Sequence, residues 1–100
     1  MNGNEDEDEI AKLRAAIERA ETQEREFMAA EAELEHAGRR ISDQLERLGG
    51  RDPVSERKLA ELRRTRDINT GDSRRLRERL RDLRRELAAV ETGAGEAGER

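Results

Sequence analysis

Apolar residues recur along the first half of the chain at alternating spacings of three and four. Ile10, Ile17, Glu24, Glu31, Gly38 and Leu45 form one row, and Leu13, Ala20, Phe27, Leu34, Ile41 and Leu48 form the other. The second row is apolar throughout, and the first is interrupted three times in its middle. A repeat averaging about 3.5 residues puts both rows on one face of an α-helix. The pattern predicts a first helix over about 6–48, with a local weakness at Gly38.

The second half repeats the theme. Leu76, Leu80, Leu83, Leu87 and Val90 are spaced 4, 3, 4, 3, and Val54, Leu59 and Leu62 give a shorter apolar stripe before them. Between the two lies R-D-I-N-T-G-D-S, residues 66–73. Asn69, Thr70 and Gly71 are poor helix formers, whereas Asp72 and Ser73 are good caps. This predicts a second arm over about 53–91, broken near 68–72 and capped anew by Asp72 or Ser73. The sharpest turn signal is G-G-R-D-P at 49–53: two glycines to end one helix, Asp52 to cap the next, Pro53 to enter its first turn. The start, 1–6, reads as an acidic flexible lead, and T-G-A-G-E-A-G-E-R, 92–100, as a disordered tail.

Folding the chain at that turn gives an all-α, coiled-coil-like antiparallel helical hairpin, a single domain over 1–91. A turn centre near residue 51 sets residue i roughly opposite 102 − i, so Leu34 meets Ile68, and to within one residue Phe27 meets Leu76 and Ala20 meets Leu83. The expected interaction seam is Ile10, Leu13, Ile17, Phe27, Leu34, Ile41, Leu45, Leu48, Leu59, Leu62, Leu76, Leu80, Leu83, Leu87 and Val90. Two helices alone leave such a seam half wet, and small domains bury little surface. Completion by dimerisation or by a larger protein partner is expected. A parallel dimer of extended chains is disfavoured, because it sets Glu24 on Glu24 and Glu31 on Glu31 in the seam.

Composition supports the helical reading and removes several functions. Charged residues are 46 % of the chain and aromatics 1 %, with Phe27 alone. That profile suits a long helix or coiled coil rather than a thick globular core. Absence of Cys removes disulfides, thiol catalysis and zinc–thiolate sites. No apolar run reaches the ~20 residues of a membrane span. The acidic M-N-G-N-E-D-E-D-E start is unlike a signal peptide, so no membrane and a cytoplasmic location are expected. The net charge of −4 conceals a division: −7 over 1–48, +4 over 49–91 and −1 over 92–100.

The charge division supplies the candidate chemistry. Residues 74–85 hold seven Arg against Glu78 and Asp82, while 17–28 hold Glu18, Glu21, Glu24 and Glu26 against Arg19 and Arg25. Pairing between these stretches selects a partner and an orientation more than it stabilises. Arg74, Arg75, Arg77, Arg81, Arg84 and Arg85 are also candidate contacts to phosphate or to an acidic partner. Aromatic residues that would stack on bases are missing, and basic and leucine positions share one stretch, unlike a basic leucine zipper. His36, the sole histidine, is flanked by Arg39 and Arg40 and reads as a surface residue. G-G-R-D lacks the rest of a phosphate-binding loop, and at T-G-D-S Asp72 would repel an anion. No catalytic set, metal site or cofactor motif is expected.

A hairpin with acidic residues at its tip resembles the N-terminal hairpin of bacterial transcript-cleavage factors, which enter the secondary channel of RNA polymerase and present carboxylates to a catalytic metal. The resemblance covers about residues 10–91 and makes Asp52 and Glu56 the analogues of those carboxylates. The family's tip motif and globular C-terminal domain have no counterpart in these 100 residues, and Arg51, Arg57 and Lys58 bring positive charge to the tip. The expectation is thus a non-enzymatic coiled-coil interaction protein, a scaffold, adaptor or small assembly subunit. The alternative is a nucleic-acid- or polymerase-associated regulator using the arginines or the tip acids.

Overall fold

In the computed structural model the chain forms two α-helices, α1 (Asn2–Arg47) and α2 (Pro53–Glu99), joined by a short turn. The structure describes the backbone of residues 2–99 and the side chains of residues 5–93. No strand occurs among the described residues. The expected helical hairpin is therefore present. α1 starts at Asn2 rather than near residue 6, and α2 runs past the boundary expected at 91. The side chains of 1–4 and of 94–100, where much of the flexible start and disordered tail was expected, lie outside the described residues.

The turn is built as the glycines and Asp52 suggest. Gly49 and Gly50 have φ of 80° and 81°, a left-handed conformation that costs side-chain-bearing residues energy. The Gly50 amide donates to the Leu45 carbonyl at 2.9 Å and the Gly49 amide to that of Glu46 at 3.1 Å. This nested pair is the Schellman arrangement, which satisfies carbonyls left over at a helix end. Leu48 is the residue in between, and it is 53 % exposed. It belongs to the helix cap, not to the seam as expected, because the turn carries its side chain off the packed face.

The chain divides into two compact units, one of residues 1–24 with 75–100 and one of residues 25–74. In the first, Arg14 pairs with Glu91 at 3.1 Å and Arg84 with Glu21 at 3.6 Å. As one partner rises in number the other falls, so the two helix segments are antiparallel. Leu13, Ala20, Leu76 and Leu80 are its buried apolar side chains, with Leu80 only 1 % exposed. Ile10, Ile17, Leu83, Leu87 and Val90 are half-buried on the same face.

In the second unit, Asn69 Nδ2 donates to Glu31 Oε2 and to the Phe27 carbonyl, both at 3.3 Å. Glu31 thus faces Asn69, and the register is 100 − i, two residues away from the one expected. Ile68, expected opposite Leu34, is 63 % exposed. Val54 is 61 % exposed as well, and buried Ser55 takes the inward position beside it.

The expected break at 68–72 is absent: α2 is helical from Pro53 through Glu99, and neither Asp72 nor Ser73 begins a new helix. Helix propensity disfavours Asn, Thr and Gly by about 0.5–1 kcal/mol each relative to Ala. That sum is outweighed by continuity. Each residue added to an existing helix gains a backbone hydrogen bond without a fresh nucleation cost. Asn69 additionally bonds across to α1 within its unit.

The inward positions of α2 show why. They are Ser55, Leu59, Leu62, Arg66, Asn69, Ser73, Leu76, Leu80, Leu83, Leu87 and Val90, and their spacing alternates 4 and 3 without a slip. Arg66 is the one exposed member; the rest are buried or half-buried. The heptad never stops. Its middle members are polar.

Candidate functional site

Three features of the hairpin carry polar chemistry. The first is the tip. Asp52 precedes α2, and its Oδ2 accepts from the Ser55 hydroxyl at 2.6 Å and the Ser55 amide at 3.3 Å. The Glu56 amide donates to the Asp52 carbonyl at 2.9 Å. This is an N-cap, with the carboxylate satisfying a donor that the helix leaves unpaired. The Ser55 hydroxyl, followed by the Ser55 and Val54 amides and the charge of Lys58, holds the Asp52 carboxyl below its ordinary range. Asp52 Oδ2 thus serves the helix cap.

The second feature is a polar stretch in the seam of the unit of residues 25–74. The Arg66 guanidinium meets Glu31 at 2.9 Å through Nε and Glu35 at 3.6 Å. With Asn69 also on Glu31, one carboxylate receives two side-chain donors. The Arg66 hydrogen bond, then that of Asn69, pulls the Glu31 carboxyl below its ordinary value, and Glu31 in return raises Arg66. Counting by heptads from the Glu31–Asn69 pair puts Leu34 opposite Arg66, Phe27 opposite Ser73 and Gly38 opposite Leu62. A groove of about 290 Å³ opens at Gly38, lined by Leu34, Ser42, Leu59 and Leu62 among others. Beyond its own helix backbone and chain neighbours, a methyl group at Gly38 would meet nothing within 4 Å. Polar seam members of this kind set register at a cost in stability.

Hydropathy hides the polar members of α2, because it favours Ile68 over Asn69 for the inward place. Stepping back by sevens from Leu76 gives Asn69, Leu62 and Ser55. Stepping back from Leu80 gives Ser73, Arg66 and Leu59. The regular part of α2 could therefore have located them.

The third feature is the arginine stretch. Arg74, Arg75, Arg77, Arg81, Arg84 and Arg85 are all exposed. Arg74 closes the unit of residues 25–74, and the other five belong to the other unit. Arg77, Arg81, Arg84 and Arg85 line a groove of about 560 Å³ with Glu24, and Leu80 and Ala88 are its apolar lining. Arg84 reaches Glu21, one of the acids expected to pair with it. Arg77, Arg81 and Arg85 form no ion pair with a described residue.

Among the described residues, no group of three or more His, Asp or Glu is arranged to hold a metal ion. His36 is exposed. No helix is long and apolar enough to cross a membrane among those residues. Of the expected seam residues, all but Leu48 are buried or half-buried. Compared with protein-family models, with curated proteins and with solved structures, the chain finds no match, so its own geometry carries the functional reading.

Proposed function

We propose that this chain is a non-enzymatic helical-hairpin interaction protein, a scaffold, adaptor or small assembly subunit, that works by helix packing along its Leu/Ile seam. A cytoplasmic location goes with this reading. The observation that carries it is the thinness of the core. Only four apolar side chains are buried among the described residues, while Ile10, Ile17, Phe27, Leu34, Ile41, Leu45, Leu59, Leu62, Leu83, Leu87 and Val90 stay half-buried. The surface is 8081 Å² for 11.4 kDa. A folded monomer of this mass typically exposes roughly 5,800 Å². Further helices along the seam edges would remove apolar surface from water, the main driving force for association.

A photo-cross-linker at Leu59 or Leu83, with Arg64 as the exposed control, tests the reading in cells. Cross-links to another chain from the seam positions and not from Arg64 are expected. Only intramolecular products at both seam positions would sink the proposal.

A second reading, nucleic-acid binding, is favoured by one observation, the three arginines of the groove that form no ion pair with a described residue. Phosphate contacts by arginine would make the affinity fall steeply with salt. A titration of labelled DNA and RNA over a salt series checks it, and no binding at the lowest salt removes it.

A further inference from the structure

We infer that the arginine-lined groove of α2 is the docking surface for α1 of a second copy of this chain. The inference rests on the helix-packing reading above and names its partner. The groove combines four guanidinium groups, of which Arg77, Arg81 and Arg85 form no ion pair with a described residue, with Glu24 at its edge and an apolar lining from Leu80 and Ala88. Its occupant must therefore be narrow enough to approach the lining, apolar along its middle and acidic at its flanks.

The outer face of α1 has that pattern. Asp8, Ala11, Ala15 and Glu18 recur at spacings of 3, 4 and 3, so they form one stripe on a helix. Asp8, Ala11 and Glu18 are exposed and Ala15 is half-buried. The carboxylates of Asp8 and Glu18 have no ion-pair partner among the described residues. The two alanines leave room for a close helix approach, and an acid stands at each end. The stripe is about 15 Å long at 1.5 Å per residue, and residues 77–88 extend about 16 Å, so the lengths match.

Charge favours the same occupant on the larger scale. Residues 1–48 carry −7 and residues 49–91 carry +4. Each copy thus offers both an acidic stripe and a basic groove, and a two-fold pair uses each of them twice. The surface in excess of a compact monomer, roughly 2,300 Å² per chain, is ample for an interface of the ordinary ~1,600 Å² in total. Arginine–carboxylate contacts would fix the orientation and supply most of the attraction, and burial of the exposed Ala88 would add to it.

The experiment is sedimentation of the full chain at low and high salt, with helicity checked by circular dichroism. The wild type is expected as a dimer that weakens as salt rises. Arg77→Glu/Arg81→Glu/Arg85→Glu and Asp8→Lys/Glu18→Lys should each stay helical and each dissociate about 100-fold more readily, since like charges then face each other. Mixing the two variants should restore a heterodimer. A wild-type monomer at every concentration, or a dimer indifferent to both reversals, overturns the inference. Cross-links from Leu59 or Leu83 to a different protein would still leave the broader reading standing. Oligonucleotide binding that disappears in the triple arginine variant, without a wild-type dimer, would assign the groove to nucleic acid instead.

Discussion

The unit of residues 1–24 and 75–100 and the unit of residues 25–74 use one heptad repeat and fill it differently. In the first, the heptad count sets Ala20 opposite Leu80, Ile17 opposite Leu83 and Leu13 opposite Leu87, and all four buried apolar residues fall here. In the second, Arg66, Asn69, Glu31 and Ser73 occupy seam positions, and Gly38 leaves one of them without a side chain. Ion pairs at the edge of the first unit, such as Arg14–Glu91, are exposed on both partners and add little. One unit therefore buries apolar side chains in its seam, and the other places polar side chains there. Burial stabilises but tolerates sliding by a heptad. A carboxylate fixed by two donors tolerates no such slip.

The sharpest way to break this comparison is to cut into the apolar unit. Leu80→Ala should cost about 2–5 kcal/mol, because a side chain that is almost wholly enclosed leaves a cavity. Leu59→Ala, half-buried in the other unit, should cost about 1–2 kcal/mol. Urea titration of both variants reads the difference. Equal losses would mean that the two units are packed alike.

Next in size is the turn. Gly49→Ala should destabilise by about 1–2 kcal/mol, since φ there is 80° and a Cβ is strained in that conformation whatever space surrounds it. A thermal melt with no loss would show that the turn rearranges freely. Gly38→Ala should act in the opposite direction and stabilise by about 1 kcal/mol, as a better helix former entering open space. A lower melting temperature would show that the gap at Gly38 is needed.

The smallest expected effect is acid sensitivity in the polar unit. Glu31 and Asp52 both have carboxyls lowered in the folded chain, by Arg66 with Asn69 and by Ser55 respectively. Depressed values mean that the stabilisation is complete above the ordinary glutamate value of 4.5 and is lost as pH falls through the folded values. Amide exchange in residues 55–73, corrected for its intrinsic pH dependence, should report easier opening between about pH 6 and about pH 3. Unchanged opening would mean that these contacts contribute nothing to the unit.

Much of this was legible beforehand. The 3-4 spacing marked both helices, G-G-R-D-P marked the turn and its cap, and fourteen of the fifteen expected seam residues are buried or half-buried. Leu48 failed because the cap geometry, not the repeat, sets its direction. The break at 68–72 failed for a related reason. Propensity reports the cost of Asn69 and Gly71 in an isolated helix, and hydropathy prefers Ile68 to Asn69 for an inward place. Neither includes the hydrogen bonds that Asn69 makes to Glu31 and Phe27. Legibility of the arginine groove was partial. Clustered Arg showed positive charge, but not which arginines form no ion pair with a described residue.

By itself the sequence determined that this chain is two helices with a capped turn, because spacing and capping are local and act within a few residues. Only the tertiary structure decided the register and the continuity of α2. Both depend on a residue near position 30 meeting one near position 70, and that meeting turns a run of poor helix formers into the polar lock of the seam.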